Sequence, residues 1–226
     1  MLWNPGAPVN PDKIRQNSTL RHRPELLAFI SLLVIVNAPV LIGSCWQSFV
    51  FYPSPVRNGE WWRLFTHPFV HVTWYHLLLD GTAFIILYES LLEPRLIHRL
   101  AYVGSAGGGG LLVSWAFTGL DIGLCGLSGI AHGLMAVSGL ELVARHPPRS
   151  AEWRLGLITF VLVVTKAAVE ALTGRMCFAF LEFGLLGQPV AVAHAGGIIG
   201  GLVALALLSK PFRFSQPLGL RPQKRD

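Results

Sequence analysis

The sequence predicts an all-α polytopic membrane protein, and two observations predict it. Hydrophobic residues make up 52% of the 226 positions, whereas only 13% are charged, which is too apolar for a soluble domain of this length. The apolar residues are also gathered into long runs, and a helix needs roughly 20 mostly apolar residues to cross the hydrocarbon core of a bilayer. Membrane-spanning helices are therefore the predicted building blocks.

Six runs are long enough to span a membrane. We place them at residues 26–49, 74–92, 100–120, 126–144, 155–174 and 189–208. Because the connectors are short, residues 26–209 are predicted to form one domain, preceded by a polar segment at 1–25 and followed by a basic tail at 210–226. No convincing small-residue cleavage site follows the first run, so this span is predicted to be retained.

Positive charges predict the orientation, because Lys and Arg resist translocation and collect on the cytoplasmic side. Outside the spans, only Arg57, Arg63 and Arg175 fall on the side opposite the two termini. Both termini are therefore predicted to be cytoplasmic. The net charge of +6 is explained by this topology and by the anionic headgroups of the bilayer, so no nucleic-acid partner is predicted.

Three cysteines, Cys45, Cys125 and Cys177, lie at or near the outer ends of the predicted spans. That side is oxidising in a bacterium, so a disulfide between two of them stays open. We favour three unpaired, buried thiols and assign none of them a catalytic role.

Several polar residues lie inside the predicted spans, where each is costly unless it faces other protein or a wet cavity. Asp80 is about two turns into the second span, and His76 precedes it by one turn. Ser128 opens the fourth span, and His194 is about one turn into the sixth. At 1.5 Å per residue, all four lie within about 10 Å of the outer surface. Groups at one depth on three helices can converge inside a bundle.

Ser128 lies in the segment GLSG, residues 126–129, where a helix begins at the hydroxyl. Unpaired N–H groups at a helix start can hold the oxyanion of an acyl-transfer intermediate, and the helix dipole favours negative charge there. The alternative is that Ser128 only caps the helix within a glycine-rich packing segment.

His194 precedes Gly197 and Gly201, which form a small-residue face that another helix can approach closely. If that helix is the fourth span, a neutral imidazole can take the proton of the Ser128 hydroxyl and make it a usable nucleophile. A simple interhelical hydrogen bond is the competing interpretation of this histidine.

Together these sequence motifs resemble those of the rhomboid family of intramembrane proteases. The matching parts are Trp62, Arg63, His71, His76, position 80, Gly126, Ser128, Gly129, Ala193, His194, Gly197 and Gly201. The resemblance implies a six-helix bundle in the inner membrane of a bacterium, with a water-filled cavity open to the extracytoplasmic side. It also implies an intramembrane serine endopeptidase in which Ser128 is the nucleophile and His194 the general base, without a third triad member.

The resemblance further implies that His76 and the Ser128 backbone N–H serve the oxyanion. Position 80 departs from the better known rhomboids, which carry an asparagine there, because an ionised Asp80 cannot donate a hydrogen bond. Two alternatives remain open: Asp80 is protonated and donates, or it stays anionic and orients His76, which we prefer.

Within the family, the sequence is most similar to the rhombosortase branch. The segments that carry this likeness are HLLLDG at 76–81 and GLSGIAHG at 126–133. The likeness implies that the substrates are membrane-anchored exported proteins carrying C-terminal sorting tails.

Other polar residues are assigned lesser roles. His71 and His132 are expected to line the cavity, although His132, four residues after Ser128, is an alternative base. Lys166 and Glu170 are expected to neutralise each other within the fifth span. No organic cofactor is predicted, and no metal site, because the histidines and cysteines lack a compact ligand set in sequence.

Two other functions compete with the protease. The intramembrane titratable residues would also suit a transporter or proton channel, although the two halves of the chain show no obvious repeat. A non-catalytic rhomboid-like protein that binds membrane segments is the second alternative. The oligomeric state is left open.

Overall fold

The computed structural model describes residues 23–118, 123–177 and 190–208. Eight α-helices lie in this part of the chain: α1 Pro24–Val36, α2 Pro53–Arg57, α3 Arg63–Thr66, α4 Trp74–Ser90, α5 Leu96–Thr118, α6 Ser128–Arg145, α7 Ala151–Thr173 and α8 Ala191–Leu208. Short 3-10 turns cover Ala38–Ile42, Gln47–Phe49 and His67–Phe69. Over the same residues there is no β-strand, only one isolated bridge between Phe51 and Leu124. The predicted all-α class is confirmed.

Within the described ranges, four helical segments are long and apolar enough to cross a membrane, so the protein is multi-pass. They are Pro24–Ile42, Leu96–Phe117, Ala151–Thr173 and Ala191–Leu208. A fifth spanning segment is counted if Arg63–Phe69 and Trp74–Ser90, which meet at a bend of 92°, together form one span. Six spans with cytoplasmic termini stay a prediction.

Helix α6 is the centre of the bundle, although it is not one of these apolar segments. It packs against α4, α5, α7 and α8, and half of its residues are buried, including Glu141. Because protein surrounds this helix, its polar residues meet other side chains rather than lipid.

Small residues allow α8 to lie against both α5 and α6. A Cβ at Gly197 would overlap the carbonyl oxygen of Gly129, and a Cβ at Gly201 would lie 3.0 Å from the Gly133 oxygen. On the other side, a Cβ at Gly196 would overlap the Gly109 oxygen of α5. These contacts bring the first turn of α6 beside the first turn of α8.

The first span ends earlier than the predicted 26–49. Helix α1 stops at Val36, and the 3-10 turn Ala38–Ile42 follows it and ends at Gly43, which has φ 74°. Pro39 cannot donate a backbone hydrogen bond, so the α-helix cannot continue regularly. The buried Asn37 side chain donates to the carbonyl oxygens of Leu33 at 2.8 Å and Phe69 at 2.7 Å. This asparagine thus ties the end of α1 to the segment before α4.

Charged residues gather at the end of the bundle where α4 meets α5. Arg99 pairs with Glu25, and Arg145 lies 3.6 Å from Glu141. In the connector, Glu93 is largely buried, but its hydrogen bonds from Arg95 outweigh that burial and hold the pKa of its carboxyl below the usual value. Several of the cations predicted to be cytoplasmic are therefore in one ion-pair network, whereas the basic tail at 210–226 lies outside the described residues.

Candidate active site

Ser128 is the first residue of α6, at the end of a tightly held turn. Gly126 has φ 94°, a conformation that favours glycine, and its N–H donates to the His67 carbonyl oxygen at 3.1 Å. Leu127 is fully buried beneath the turn. As the first helical residue, Ser128 has an N–H group without an intrahelical acceptor. A small cavity of about 20 Å³, water-sized, is lined by Ser128, Gly126, His67 and Ala193 among others.

His194 lies in the first turn of α8 and is 4% exposed. Its ring is stacked on that of His132, with centroids 3.8 Å apart and planes 9° from parallel. The Nδ1 atom of His132 lies 2.7 Å from the Ser128 carbonyl oxygen. His132 therefore contacts both residues of the predicted dyad. In this part of the described chain, no hydrogen bond joins the Ser128 hydroxyl to His194.

Glu170 of α7 reaches the other side of His194. Its Oε2 atom lies 2.6 Å from His194 Nδ1, and its side chain is completely buried. The Oε1 atom accepts from Lys166 Nζ at 2.7 Å and from the Cys177 N–H at 2.9 Å. Lys166 Nζ also lies 3.0 Å from His132 Nε2. The expected Lys166–Glu170 pair is confirmed, but it is part of a larger network that includes both histidines, which we call the α7 cluster.

His71, His76 and Asp80 form a second group, which we call the α4 cluster. Asp80 Oδ2 is 3.2 Å from His76 Nε2 and 3.6 Å from His71 Nε2. A Cβ at Gly126 would lie 2.7 Å from His76 Nε2 and 2.8 Å from Asp80 Oδ2. The α4 cluster thus packs directly against the turn that precedes Ser128.

Both clusters have the composition of a metal ligand set. His71, His76 and Asp80 offer ligand atoms within 4.8 Å of one another, and so do His132, Glu170 and His194. The expectation that these histidines lack a compact ligand set was wrong, because spacing along a sequence does not reveal proximity between helices. In the α7 cluster, the ammonium of Lys166 contacts two of the three candidate ligands, which opposes a cation there.

Arg63 anchors the segment between α1 and α4. It is 7% exposed and donates to the carbonyl oxygens of Gln47 at 2.6 Å and Val50 at 2.5 Å. Its guanidinium also pairs with Glu60 at 2.6 Å. The preceding residue, Trp62, donates from its indole nitrogen to the Ser48 carbonyl oxygen at 2.9 Å. The Trp62 and Arg63 pair therefore holds this segment in place rather than lining the Ser128 cavity.

Comparison with known proteins agrees with this arrangement. Residues 58–211 match the Rhomboid domain. The chain belongs to the rhomboid family. Members of this family are generally intramembrane serine proteases, and some are inactive. No curated protein sequence matches the chain. The matched region contains every residue of both clusters together with Ser128, whereas membership of the rhombosortase branch stays a prediction.

All three cysteines of this rhomboid protein are unpaired in the structure, as favoured from the sequence, but each is only partly buried and not fully buried as expected. Burial raises the pKa of the Cys125 thiol to about 12, so it is protonated at neutral pH and is a poor nucleophile. The thiol beside the Ser128 turn therefore does not compete with the hydroxyl.

Sequence reasoning missed three residues of the site. Asn37 accepts from the His71 N–H at 2.8 Å and so positions the α4 cluster. His67 lines the Ser128 cavity, and its carbonyl oxygen holds Gly126. Glu170 was interpreted only as a partner for Lys166, although it lies three residues before the C-terminal end of α7. Counting depth on the fifth span, as on the others, would have placed it about 5 Å from that end.

Proposed function

We propose that this rhomboid protein is an intramembrane serine endopeptidase, with Ser128 as the nucleophile and His194 as the general base. The observation that carries this proposal is the close contact of the first turn of α6, at Gly129, with the first two turns of α8, at Ala193 and Gly197. It supports a serine and a histidine from different helices acting on one bond, with His132 contacting both.

Each half of the reaction needs two proton transfers at His194. Ser128 Oγ attacks the carbonyl carbon of the scissile bond, its proton moves to His194 Nε2, and the carbonyl electrons move to the oxygen. The intermediate then expels the amine, which takes the proton from His194, and a water molecule repeats the sequence to release the acid. Catalytic hydrogen bonds in ligand-free sites often form only with substrate, so rotation of the Ser128 side chain is the step that completes the dyad.

The oxyanion is held by the Ser128 N–H and by His76. The N-terminus of α6 supplies the backbone donor and the favourable end of the helix dipole. Asp80 is anionic in this proposal and orients His76, which is supported by their 3.2 Å separation. Gly126 allows this cluster to approach the turn, while Gly129, Gly197 and Gly201 bring α8 close.

The substrate is a membrane-anchored protein cut in or next to its transmembrane segment. An apolar cavity of about 590 Å³ lies between α4, α6 and α7 and includes His132 and Lys166 in its lining. Its location beside the site supports entry of an apolar segment. We propose that the site opens to the extracytoplasmic side of a bacterial inner membrane, and that the substrates are exported proteins with C-terminal sorting tails.

Covalent labelling tests the proposal. A fluorescent fluorophosphonate is added to the protein in detergent, and native protein is compared with Ser128→Ala and His194→Ala. We expect labelling only in the native protein and in a matched control, Ser138→Ala, because Ser138 is on the same helix but bonds the Met135 carbonyl oxygen. Equal labelling of native protein and Ser128→Ala would exclude the protease. Ion flux through liposomes without labelling would instead favour the transporter.

A further inference from the structure

The carboxylate of Glu170 is placed as an accessory to His194. It is fully buried, yet its hydrogen bonds among the described residues join it to three donors: the imidazole of His194, the ammonium of Lys166 and the N–H of Cys177. A buried charge persists only where it is paired and hydrogen-bonded. The three donors meet this requirement on both carboxylate oxygens.

We propose that Glu170 is a positioning residue that completes a Ser128, His194 and Glu170 triad, with Lys166 and His132 holding it in place. The inference rests on the proposed protease function and deepens it, since the family resemblance implied a dyad alone. Glu170 contacts His194 and not the reacting atoms, so it acts through the histidine.

The first effect of Glu170 is to fix the tautomer of His194. An ionised carboxylate can only accept hydrogen bonds, so the 2.6 Å contact requires a proton on His194 Nδ1. In the neutral ring, the Nε2 atom then carries the lone pair, which is the form that can take the Ser128 proton. Without this acceptor, the opposite tautomer would present an N–H to Ser128 and could not act as the base.

The second effect is electrostatic and appears when His194 becomes an imidazolium during acyl transfer. The neighbouring carboxylate stabilises that cation directly, and more strongly than in water because the site is buried. At rest, Lys166 offsets the charge of Glu170, so the pair is close to neutral. Glu170 keeps its negative charge throughout and takes no proton from His194.

The contacts of His132 hold neighbouring residues in position and leave it unable to act as a second base. Its Nδ1 faces the Ser128 carbonyl oxygen, which only accepts, so Nδ1 carries the proton. Its Nε2 accepts from Lys166 at 3.0 Å. Both ring nitrogens are therefore used, and the ring face supports His194. Lys166 thus links the first turn of α6 to Glu170.

The test compares two buried glutamates. Glu170→Gln removes the charge at the site, whereas the control Glu141→Gln changes a glutamate of α6 that accepts from the Leu92 N–H far from Ser128. We expect Glu170→Gln to slow fluorophosphonate labelling by about 100-fold to 10,000-fold, the order known for a triad whose carboxylate becomes an amide. Glu141→Gln should label within about twofold of native, and Glu170→Asp should recover part of the loss.

The pH profile separates positioning from structural support. Among the described residues, the charged and titratable groups around His194 are Glu170, Lys166 and His132, while α5 meets this part of α8 through glycines. Glu170→Gln removes an anion that contacts the proposed base, whereas Glu141→Gln does not. The pH profile of labelling should therefore change in Glu170→Gln and stay in place in Glu141→Gln.

If Glu170→Gln does not fold, a measurement on the native protein tests whether Glu170 fixes the tautomer of His194. Nitrogen NMR of histidine-labelled protein, with the His194 signals assigned by their loss in His194→Ala, should find the proton of the neutral ring on Nδ1. A proton on Nε2 would overturn the proposal.

The outcomes also distinguish this inference from the proposed function. If native protein fails to label at Ser128, the protease itself is rejected. If native protein labels and Glu170→Gln matches Glu141→Gln in rate and pH profile, only the triad is rejected. Labelling that is lost on chelation and restored by zinc would also overturn the triad, in favour of a metal held by His132, Glu170 and His194.

Discussion

The α4 cluster and the α7 cluster have the same composition, two histidines and a carboxylate, but they differ in how completely the polar atoms are paired. In the α7 cluster the carboxylate contacts are 2.6 to 2.9 Å and include an ammonium. In the α4 cluster the contacts of Asp80 are 3.2 and 3.6 Å. Within the part of the chain that the structure describes, His71 Nε2, His76 Nδ1 and Asp80 Oδ2 are buried and have no hydrogen-bond partner.

This difference in pairing matches two different tasks. A fully paired network fixes one side chain in one orientation, which suits a general base. Unpaired buried polar atoms are costly unless something else uses them. Of these three atoms, only a histidine nitrogen that carries a proton can donate a hydrogen bond to a developing negative charge. In the proposed mechanism, the α7 cluster therefore positions the general base, and the α4 cluster binds the oxyanion.

The largest effect is expected from removing the cation that only the α7 cluster has. Lys166→Met leaves Glu170 buried beside neutral groups, and breaking such a pair typically costs about 3 to 5 kcal/mol. Thermal unfolding in detergent should show this loss, and the double variant Lys166→Met with Glu170→Gln should recover most of it. As a control, Arg95→Met removes a half-exposed cation and should cost less than about 1 kcal/mol. Equal stability of the single and double variants would mean that Glu170 is not anionic.

The next effect concerns the unpaired donor of the α4 cluster. His76→Ala should slow labelling by about 100-fold to 1,000-fold, because removing one oxyanion donor costs about 2.7 to 4 kcal/mol. His98→Ala is the matched control, since this histidine of α5 lies near Glu93 in the charged network. If His76→Ala retained native labelling, His76 would not be the oxyanion donor that distinguishes the α4 cluster from the α7 cluster.

The smallest effect is expected at Asp80, where an amide replaces the acid. Asp80→Asn should keep labelling within about tenfold of native at neutral pH, because the amide can still contact His76. The substitution also removes an anion from the α4 cluster, so the pH dependence of labelling should change. An unchanged profile, measured on purified protein, would remove the orienting role of Asp80.

Sequence patterns predicted the parts of this site that depend on one helix at a time. The start of α6 at Ser128, the helix carrying His194 and the pair Lys166 with Glu170 follow from hydropathy, glycine placement and four-residue spacing. The contact between Glu170 and His194 was not predictable in this way, because periodicity gives the faces of each helix but not which helices are neighbours.

The first span shows the same limit in the fold. The long apolar run predicted an unbroken helix to residue 49, since hydropathy does not register a single proline. The structure ends α1 at Val36 and uses Asn37 to bind the segments around Phe69 and His71. A polar residue followed closely by proline inside an apolar run is the local signal that would have marked this end.

A structure of the fluorophosphonate adduct tests the central claim most directly. The account predicts a covalent bond from Ser128 Oγ to phosphorus, with His194 Nε2 turned toward that oxygen and Nδ1 still on Glu170. The phosphoryl oxygen should lie within hydrogen-bond distance of the Ser128 N–H and His76. An adduct on another residue, or His194 turned away from Ser128 Oγ, would contradict the account.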